Sequence, residues 1–341
     1  MNTSARRGIA SLSIAALLLL GFGCTDEVGV RGKEVFQKES ESADFRVLSW
    51  NVSGAQFFEK AAGFRTLLKW ADADLLLLDE VDGGRSVSDV QSVLRGLRGA
   101  TDTTWNVVMG AGGGYQRGVI ATRYPLTPVG ELNGVLPYPQ SAVRQLQTLV
   151  PEDIWTTRTK GNLDAGIAVA GAIVRMEKRT ILAVTIDLQC CSGSPDWQEV
   201  RRQIEVREIR EVVRGVLERQ RVDAVLLAGD FNLVSTGIPL VIIASPYPAP
   251  HFALTPVEAL HLDGVETWTW DGRNTPFPSR ALDYAFYSAN SLQPVRASVI
   301  STEDFPASEQ AALGVAPETS HSLSAHLPLL VGYRWRTGAP R

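Results

Sequence analysis

The stretch LLAGDFNLV, residues 226–234, joins an apolar run to a carboxylate and a carboxamide, Asp230 and Asn232. In an extended chain, residues i and i+2 lie on the same side of the backbone. We therefore expect Asp230 and Asn232 to point together beyond the end of a buried strand. Gly, Asp and Asn are also the usual residues of turns, so this stretch taken alone favours a plain turn.

Other apolar, strand-like runs also carry a polar residue at or near one end. These residues are Asn51 in LSWN, Glu80 in LLLLDE, Asp187 in VTIDL, Asp283 in LDYAFY and His326 in HLPLL. Ligands of α/β proteins gather at one set of strand ends, so we expect these side chains to lie together. Carboxylate and amide oxygens are the ligands that Mg²⁺ and Ca²⁺ prefer, and a His held by an Asp can act on a phosphate.

Strand-like and helix-like segments alternate along the chain, and several strands follow one another directly. This order favours two sheets with helices outside over a single parallel sheet. The segment VETWTW, residues 265–270, reads as a further strand, and residues 130–163 read as a long irregular loop.

In this order the motifs resemble those of the endonuclease/exonuclease/phosphatase superfamily. The resemblance runs from about Phe45 to Gly332, and LLAGDFN is its strongest single match. It implies an α/β fold, specifically a four-layer sandwich in which two mixed β-sheets pack face to face with helices outside. It also implies one domain over residues 44–341.

The resemblance implies a role for each polar residue. Those with a catalytic role are His326, Asp283, Asp230 and Asn232. Those at positions that contact the substrate phosphate are Asn51, Asn232 and Asp187. Those that hold a Mg²⁺ ion, or Mn²⁺ or Ca²⁺ in its place, are Glu80 and Asn51. We therefore expect a metal-dependent phosphoester hydrolase that acts by in-line attack of water.

Three positions depart from the family pattern. Ala325 stands where the family has a metal-binding Asp, Asp187 where many members have a phosphate-binding His, and Asp79 where a Gln is usual. An acid at position 187 repels an anionic substrate unless a metal or an Arg neutralises it. The alternative is therefore a non-catalytic or repurposed surface lipoprotein that keeps the fold. A third alternative is a carbohydrate enzyme that uses paired carboxylates, but the sequence has no second acid pair at the strand ends to support it.

The N-terminal region has the pattern of a bacterial lipoprotein signal. Arg6 and Arg7 precede an apolar run from Ile9 to Leu20, and the sequence GFGC follows, ending at Cys24. This pattern predicts a signal peptide over residues 1–23, lipidation of Cys24 and a polar tether over residues 24–43. We expect an exported protein anchored by its lipid, facing the periplasm or the cell surface, with the outer membrane as the favoured location.

Charge and cysteine content limit the partners. The net charge is −4, and removal of residues 1–23, which hold two Arg and no acid, takes it to −6. This balance disfavours a stable nucleic-acid partner, because such binding depends on basic surface. We expect a monomer that acts on a phosphoester of a class the sequence does not define. The adjacent Cys190 and Cys191 match no metal-binding spacing and read as two ordinary thiols.

Overall fold

A computed structural model of the protein describes residues 43–97, 105–191, 197–247 and 253–337. The predicted signal peptide, the lipidation site at Cys24 and all but the last residue of the tether lie outside these ranges. No helix among the described residues has the length and apolar character needed to cross a membrane.

Thirteen strands form within the described residues. In chain order, β1 to β13 are Phe45–Gly54, Leu75–Asp82, Asn106–Met109, Gln116–Thr122, Leu126–Pro128, Ala168–Met176, Arg179–Asp187, Ala224–Asp230, Leu254–Pro256, Leu260–His261, Asp283–Ser288, Leu292–Val299 and Leu329–Trp335. Seven strands make one sheet in the order β10-β12-β13-β1-β2-β4-β3, and six make the other in the order β5-β6-β7-β8-β11-β9. Both sheets are mixed, since β1–β2 and β7–β8 are parallel pairs among mostly antiparallel ones. The predicted two-sheet sandwich is thus confirmed.

The core is divided into three layers, and strand β2 shows why. Leu75 and Leu77 face the layer between the sheets, whereas Leu76 and Leu78 face the helices outside the first sheet. Both faces of β2 are therefore buried, which explains its uninterrupted apolar sequence. A separate apolar layer lies between the second sheet and its own helices.

The helices lie outside the sheets and between strands along the chain. In chain order, α1 to α10 are Gln56–Glu59, Ala61–Ala71, Val87–Leu94, Gly130–Asn133, Gln140–Leu149, Thr157–Asp164, Trp197–Arg219, Ile238–Ala244, Ala307–Leu313 and Thr319–Leu323. The longest, α7, packs Ile204, Val206, Ile209, Val213 and Val216 against the second sheet.

Two segments differ from the expectation. Residues 130–163 are not an irregular loop, because α4, α5 and most of α6 form there, each with at least one buried apolar side chain. Residues 265–270 do not form a strand; only Trp270 makes isolated bridges, to Arg280 and His326. The alternating Thr and Trp residues that suggested a strand belong instead to a loop that packs beside the candidate site.

Candidate active site

Three acidic residues lie side by side at one end of the second sheet. Asp230, the last residue of β8, is paired in register with Asp187 at the end of parallel β7. It is also paired with Asp283 at the start of antiparallel β11. Alternation along β8 places Leu226 and Ala228 in the layer between the sheets, so Asp230 projects into the same layer. The register of the sheet therefore brings together three acids that lie far apart in the sequence, Asp187, Asp230 and Asp283.

The facing sheet contributes Asn51, Asp79 and Glu80. Asn51 of β1 lies opposite Asp79 of β2. Strict alternation would send Asp79 and Glu80 to opposite faces of β2. A β-bulge interrupts the pairing of β2 with β4 here, and Glu80 has a left-handed φ of 50°. The bulge turns the Glu80 carboxylate toward Asp187 and Asp230, with which it forms a group of oxygens within 4.8 Å of one another.

His326 lies between two of these carboxylates. Its Nδ1 is 2.9 Å from Asp283 Oδ2, and its Nε2 is 3.7 Å from Asp230 Oδ2. Asp283 and His326 thus form a pair in which a carboxylate holds the imidazole ring. The backbone of His326 is anchored to β1, because Trp50 Nε1 donates to its carbonyl oxygen at 2.8 Å.

The ionisation of this pair departs from ordinary values. Burial raises the pKa of the Asp230 carboxyl group to about 8, although His326 acts in the opposite direction. Burial acts to lower the pKa of His326, but Asp283 and Asp230 outweigh it and raise the pKa to about 10. At neutral pH His326 is thus a cation, and the protonated form of the Asp230 carboxyl group predominates.

Both Asn residues contact the acids beside them. Asn51 Nδ2 donates to Asp230 Oδ2 at 3.3 Å, and the backbone N–H of Asn232 donates to Asp230 Oδ1 at 2.7 Å. Asn232 Nδ2 donates to the carbonyl of Leu188 at 2.8 Å and approaches Asp187 Oδ1 at 3.5 Å. Asn232 has a left-handed φ of 51°, a conformation that Asn tolerates better than most residues. Strand β8, which contains the first part of the LLAGDFNLV stretch, thus ends in this group of acids and amides.

The segment that follows Asp187 is held in place by helix α7. Gln189 N–H donates to Glu205 at 2.7 Å, and the Gln189 carbonyl accepts from Arg202 Nη1 at 2.9 Å. Arg202 is fully buried and pairs with Glu199 at 2.9 Å, which accepts in turn from Ser235 at 2.8 Å. The same helix therefore fixes the segments after β7 and after β8.

Two polar residues that sequence reasoning missed support the site. Thr269 Oγ1 donates to Asp283 Oδ2 at 2.6 Å and accepts from the backbone N–H of Asp283 at 2.8 Å. Ser324 Oγ donates to the carbonyl of Asn51 at 2.8 Å and accepts from His326 N–H at 3.1 Å. Ser324 begins the sequence Ser324-Ala325-His326, which resembles the Ser-Asp-His motif of the family, so the sequence could have indicated its role. Thr269 lies in the segment 265–270, for which the sequence predicts a strand.

The side chains present suit a hard divalent cation. Two groups of oxygen and nitrogen atoms lie within 4.8 Å of one another, one from Asp230, Asp283 and His326 and one from Glu80, Asp187 and Asp230. Asp79 lies beside them, fully buried, and neither of its carboxylate oxygens has a hydrogen-bond partner. Burial raises the pKa of the Asp79 and Asp187 carboxyl groups well above the usual value, so a cation bound among them would displace protons. Oxygen donors of this kind are what Mg²⁺, Mn²⁺ and Ca²⁺ require.

Cys190 and Cys191 lie on the same segment as Gln189. Both thiols are exposed, and neither forms a disulfide. Hydrogen bonding from Cys190 lowers the pKa of the Cys191 thiol to about 6, and Arg202 acts in the same direction. The thiols border the site without contributing a hydrogen bond to it.

Comparison with solved structures shows the fold of the chain. The human Nocturnin catalytic domain with bound sulfate has a TM-score of 0.53 at 14% identity, covering 87% of this chain and 99% of that chain. An endonuclease/exonuclease/phosphatase from Bacteroides vulgatus has a TM-score of 0.55 at 12% identity, covering 86% and 99%. ANGEL2, a 2',3'-cyclic phosphatase, has a TM-score of 0.52 at 16% identity, covering 85% and 94%. No curated protein sequence matches the chain.

The family follows from the sequence. The model of the endonuclease/exonuclease/phosphatase family matches residues 48–320, and the chain belongs to this family. The match spans the site residues described above except Ser324 and His326, which lie four and six residues beyond its end. Membership supports a phosphoesterase type of hydrolase and makes a divalent metal the expected cofactor.

Proposed function

We propose that the protein is a metal-dependent phosphoester hydrolase in which water attacks phosphorus in line. The observation that carries this proposal is the placement of His326 between Asp283, at 2.9 Å, and Asp230, at 3.7 Å. An imidazole held by one carboxylate and facing a second is an arrangement for proton transfer and charge stabilisation, which a purely structural His does not need.

Each side chain has a proposed task. Asp283 binds Nδ1 of His326, so that Nε2 is left to face the phosphate. The cationic His326 stabilises negative charge that develops on the phosphoryl oxygens. Asp230 faces His326 Nε2 at 3.7 Å, and in its ionised form it is placed to accept the proton of the attacking water. Asn51 donates one amide hydrogen to Asp230 and keeps a second that can be donated to a phosphate oxygen.

A divalent cation bound by Glu80 and its neighbours would supply further positive charge for the phosphoryl oxygens. Mg²⁺ is the first candidate, with Mn²⁺ and Ca²⁺ as substitutes, because the donors are all oxygen atoms. The proposal includes export and a lipid anchor on Cys24, for which the support is the sequence of residues 1–24.

A substrate panel tests the proposal. The purified protein is assayed with duplex DNA, sphingomyelin, an aryl phosphodiester and an inositol phosphate, in Mg²⁺, in Mn²⁺ and in excess chelator. We expect turnover of at least one substrate that stops when chelator is added. Turnover that is insensitive to the chelator would contradict metal dependence.

The departures at Ala325 and Asp187 support a second candidate, a non-catalytic lipoprotein that keeps the fold for binding. The same panel separates the two. A folded protein that turns over no phosphoester at high Mn²⁺, and whose melting temperature rises when a phosphoester is added, would favour the binding protein.

A further inference from the structure

Five carboxylates converge at one end of the sandwich, and we refer to them as the acidic cluster: Asp79, Glu80, Asp187, Asp230 and Asp283. His326 is the one cationic group among the described residues that contacts the cluster, through Asp230 and Asp283. No Arg or Lys in the described part of the chain forms an ion pair with Asp79, Glu80 or Asp187. Negative charge buried at this density is costly unless a cation compensates it.

Asp79 gives the clearest sign of a missing cation. Its side chain is completely buried, and both of its carboxylate oxygens lack a hydrogen-bond partner. Leu75 and Leu77 on the same strand face the layer between the sheets, so Asp79 points into that layer, where Asp187 and Asp230 also project. A buried carboxylate with neither donors nor cation is rare in folded proteins.

Asp187 is the acid best placed to share a cation with Glu80. Oxygen atoms of Glu80, Asp187 and Asp230 all lie within 4.8 Å of one another, and the first two carboxylates are partly exposed. The backbone beyond Asp187 is fixed, because Leu188 N–H donates to the carbonyl of Asp230 at 2.9 Å and Asn232 binds the Leu188 carbonyl. The position of the carboxylate is therefore preorganised.

We propose that a divalent cation of the Mg²⁺ or Mn²⁺ type binds between Glu80, Asp187 and Asp230, with Asp187 supplying the carboxylate that Ala325 lacks. This inference deepens the proposed function and rests on it only for the role of the cation in catalysis. It changes the role of Asp187 from a contact with phosphate to a metal ligand. It also explains how an anionic substrate approaches this acid, since the cation lies between them.

Mn²⁺ binding to the metal-stripped protein, measured by titration calorimetry without substrate, tests the site. The variants are Asp187→Asn, Asp187→His, which carries the residue usual in the family, and Asp79→Asn. Glu152→Gln serves as the matched control, because it also removes one carboxylate, at an exposed position. Thermal unfolding with and without Mn²⁺ shows that each variant is folded and gives a second readout of binding.

We expect Asp187→Asn and Asp187→His to weaken Mn²⁺ binding by about tenfold or more, because the negative charge is lost and a neutral donor replaces the carboxylate. Asp79→Asn should weaken it less, since only a neighbouring charge is removed, and Glu152→Gln should leave it unchanged. Adding Ala325→Asp to Asp187→His should restore binding. Wild-type affinity in both Asp187 variants would overturn the proposal, as would equal losses in Glu152→Gln.

The two proposals can fail separately. Mn²⁺ binding that depends on Asp187, in a protein that hydrolyses nothing, would support the cation site and contradict the hydrolase. Metal-dependent hydrolysis together with Mn²⁺ binding that does not need Asp187 would do the reverse.

Discussion

At the scale of single residues, His326 is positioned by contacts from three segments. Trp50 of β1 binds its carbonyl, Ser324 accepts from its N–H, and Asp283 of β11 binds its ring. Thr269 in turn fixes the Asp283 carboxylate. The ring therefore keeps one orientation, with Nδ1 toward Asp283 and Nε2 toward Asp230, which general acid chemistry requires.

The substitution Ala325→Asp tests the departure from the family pattern. Restoring an acid beside His326 adds a hard oxygen donor, so divalent ions should bind more tightly and hydrolysis at low Mg²⁺ should rise. Without metal the added charge should slightly lower the melting temperature through like-charge repulsion, and Mg²⁺ should remove that difference.

Melting curves and rates for both forms across a Mg²⁺ titration provide the measurement. If the rate and its metal dependence are the same in both forms, residue 325 does not lie at a metal site.

At the scale of secondary-structure elements, β8 depends on Gly229. Its φ is 139°, and a Cβ at this position would lie 1.9 Å from the carbonyl oxygen of Ile186 on β7. The close approach of these two backbones is what aligns Asp187 with Asp230. Any side chain at residue 229 would push β7 and β8 apart, directly beneath the site.

Helix α7 carries a prediction about pH. Burial acts to raise the pKa of Glu199, but hydrogen bonds from Thr236, Gln203 and Ser235 outweigh it and, with Arg202, lower the pKa to about 2. A carboxylate with a lowered pKa stabilises the fold above its unfolded pKa of about 4.5, and that stability is lost as pH falls toward 2. Glu199→Gln should therefore destabilise the protein by about 3 kcal/mol at pH 7, because it removes the negative charge that faces the buried Arg202 guanidinium group.

Urea unfolding at pH 7 and pH 3.5 checks this prediction, and the difference between wild type and Glu199→Gln should shrink at the lower pH. Glu218→Gln is the control, since its pair with Arg214 is exposed to solvent and contributes little to stability. A difference that does not change with pH would show that the charge of Glu199 is not what holds α7 to the site.

Sequence patterns predicted the strands and their polar ends because burial on both faces leaves a continuous apolar run, as in β2. They could not predict the direction of Glu80, because it depends on a bulge that strict alternation does not contain. The contribution of Thr269 was also missed, since a loop residue gains its contact only from tertiary packing. The short strands β5, β9 and β10 have two or three residues each, too few for a periodic signal.

At the scale of the whole molecule, the two sheets supply complementary parts of the site. The second sheet gives Asp187, Asp230 and Asp283, and the first gives Asn51 with the Asp79–Glu80 pair. Packing the sheets face to face closes the site between them. A disturbance of sheet packing should therefore reduce metal binding even when no ligand is changed.

The N-terminal region carries a prediction about the location of the whole protein. If Cys24 is lipidated, the protein should partition with membranes and with the detergent phase. Cys24→Ser should release it or leave the precursor uncleaved, because the lipid is the anchor. Membrane fractionation of cells that produce each form gives the answer. Wild-type protein found wholly in the growth medium would contradict the anchor.

The most direct test of the central claim compares His326→Ala with wild type on any phosphoester that the substrate panel identifies. The site predicts a loss of about a hundredfold or more in kcat, because the variant lacks the group that stabilises charge on the phosphoryl oxygens. The variant should melt at a lower temperature, because Asp230 and Asp283 lose their cationic partner, so rates are compared at a temperature at which both proteins are folded. His321→Ala, whose Nδ1 lies 3.1 Å from Asp271, should retain most of the activity. Hydrolysis at the wild-type rate by a folded His326→Ala protein would contradict the account.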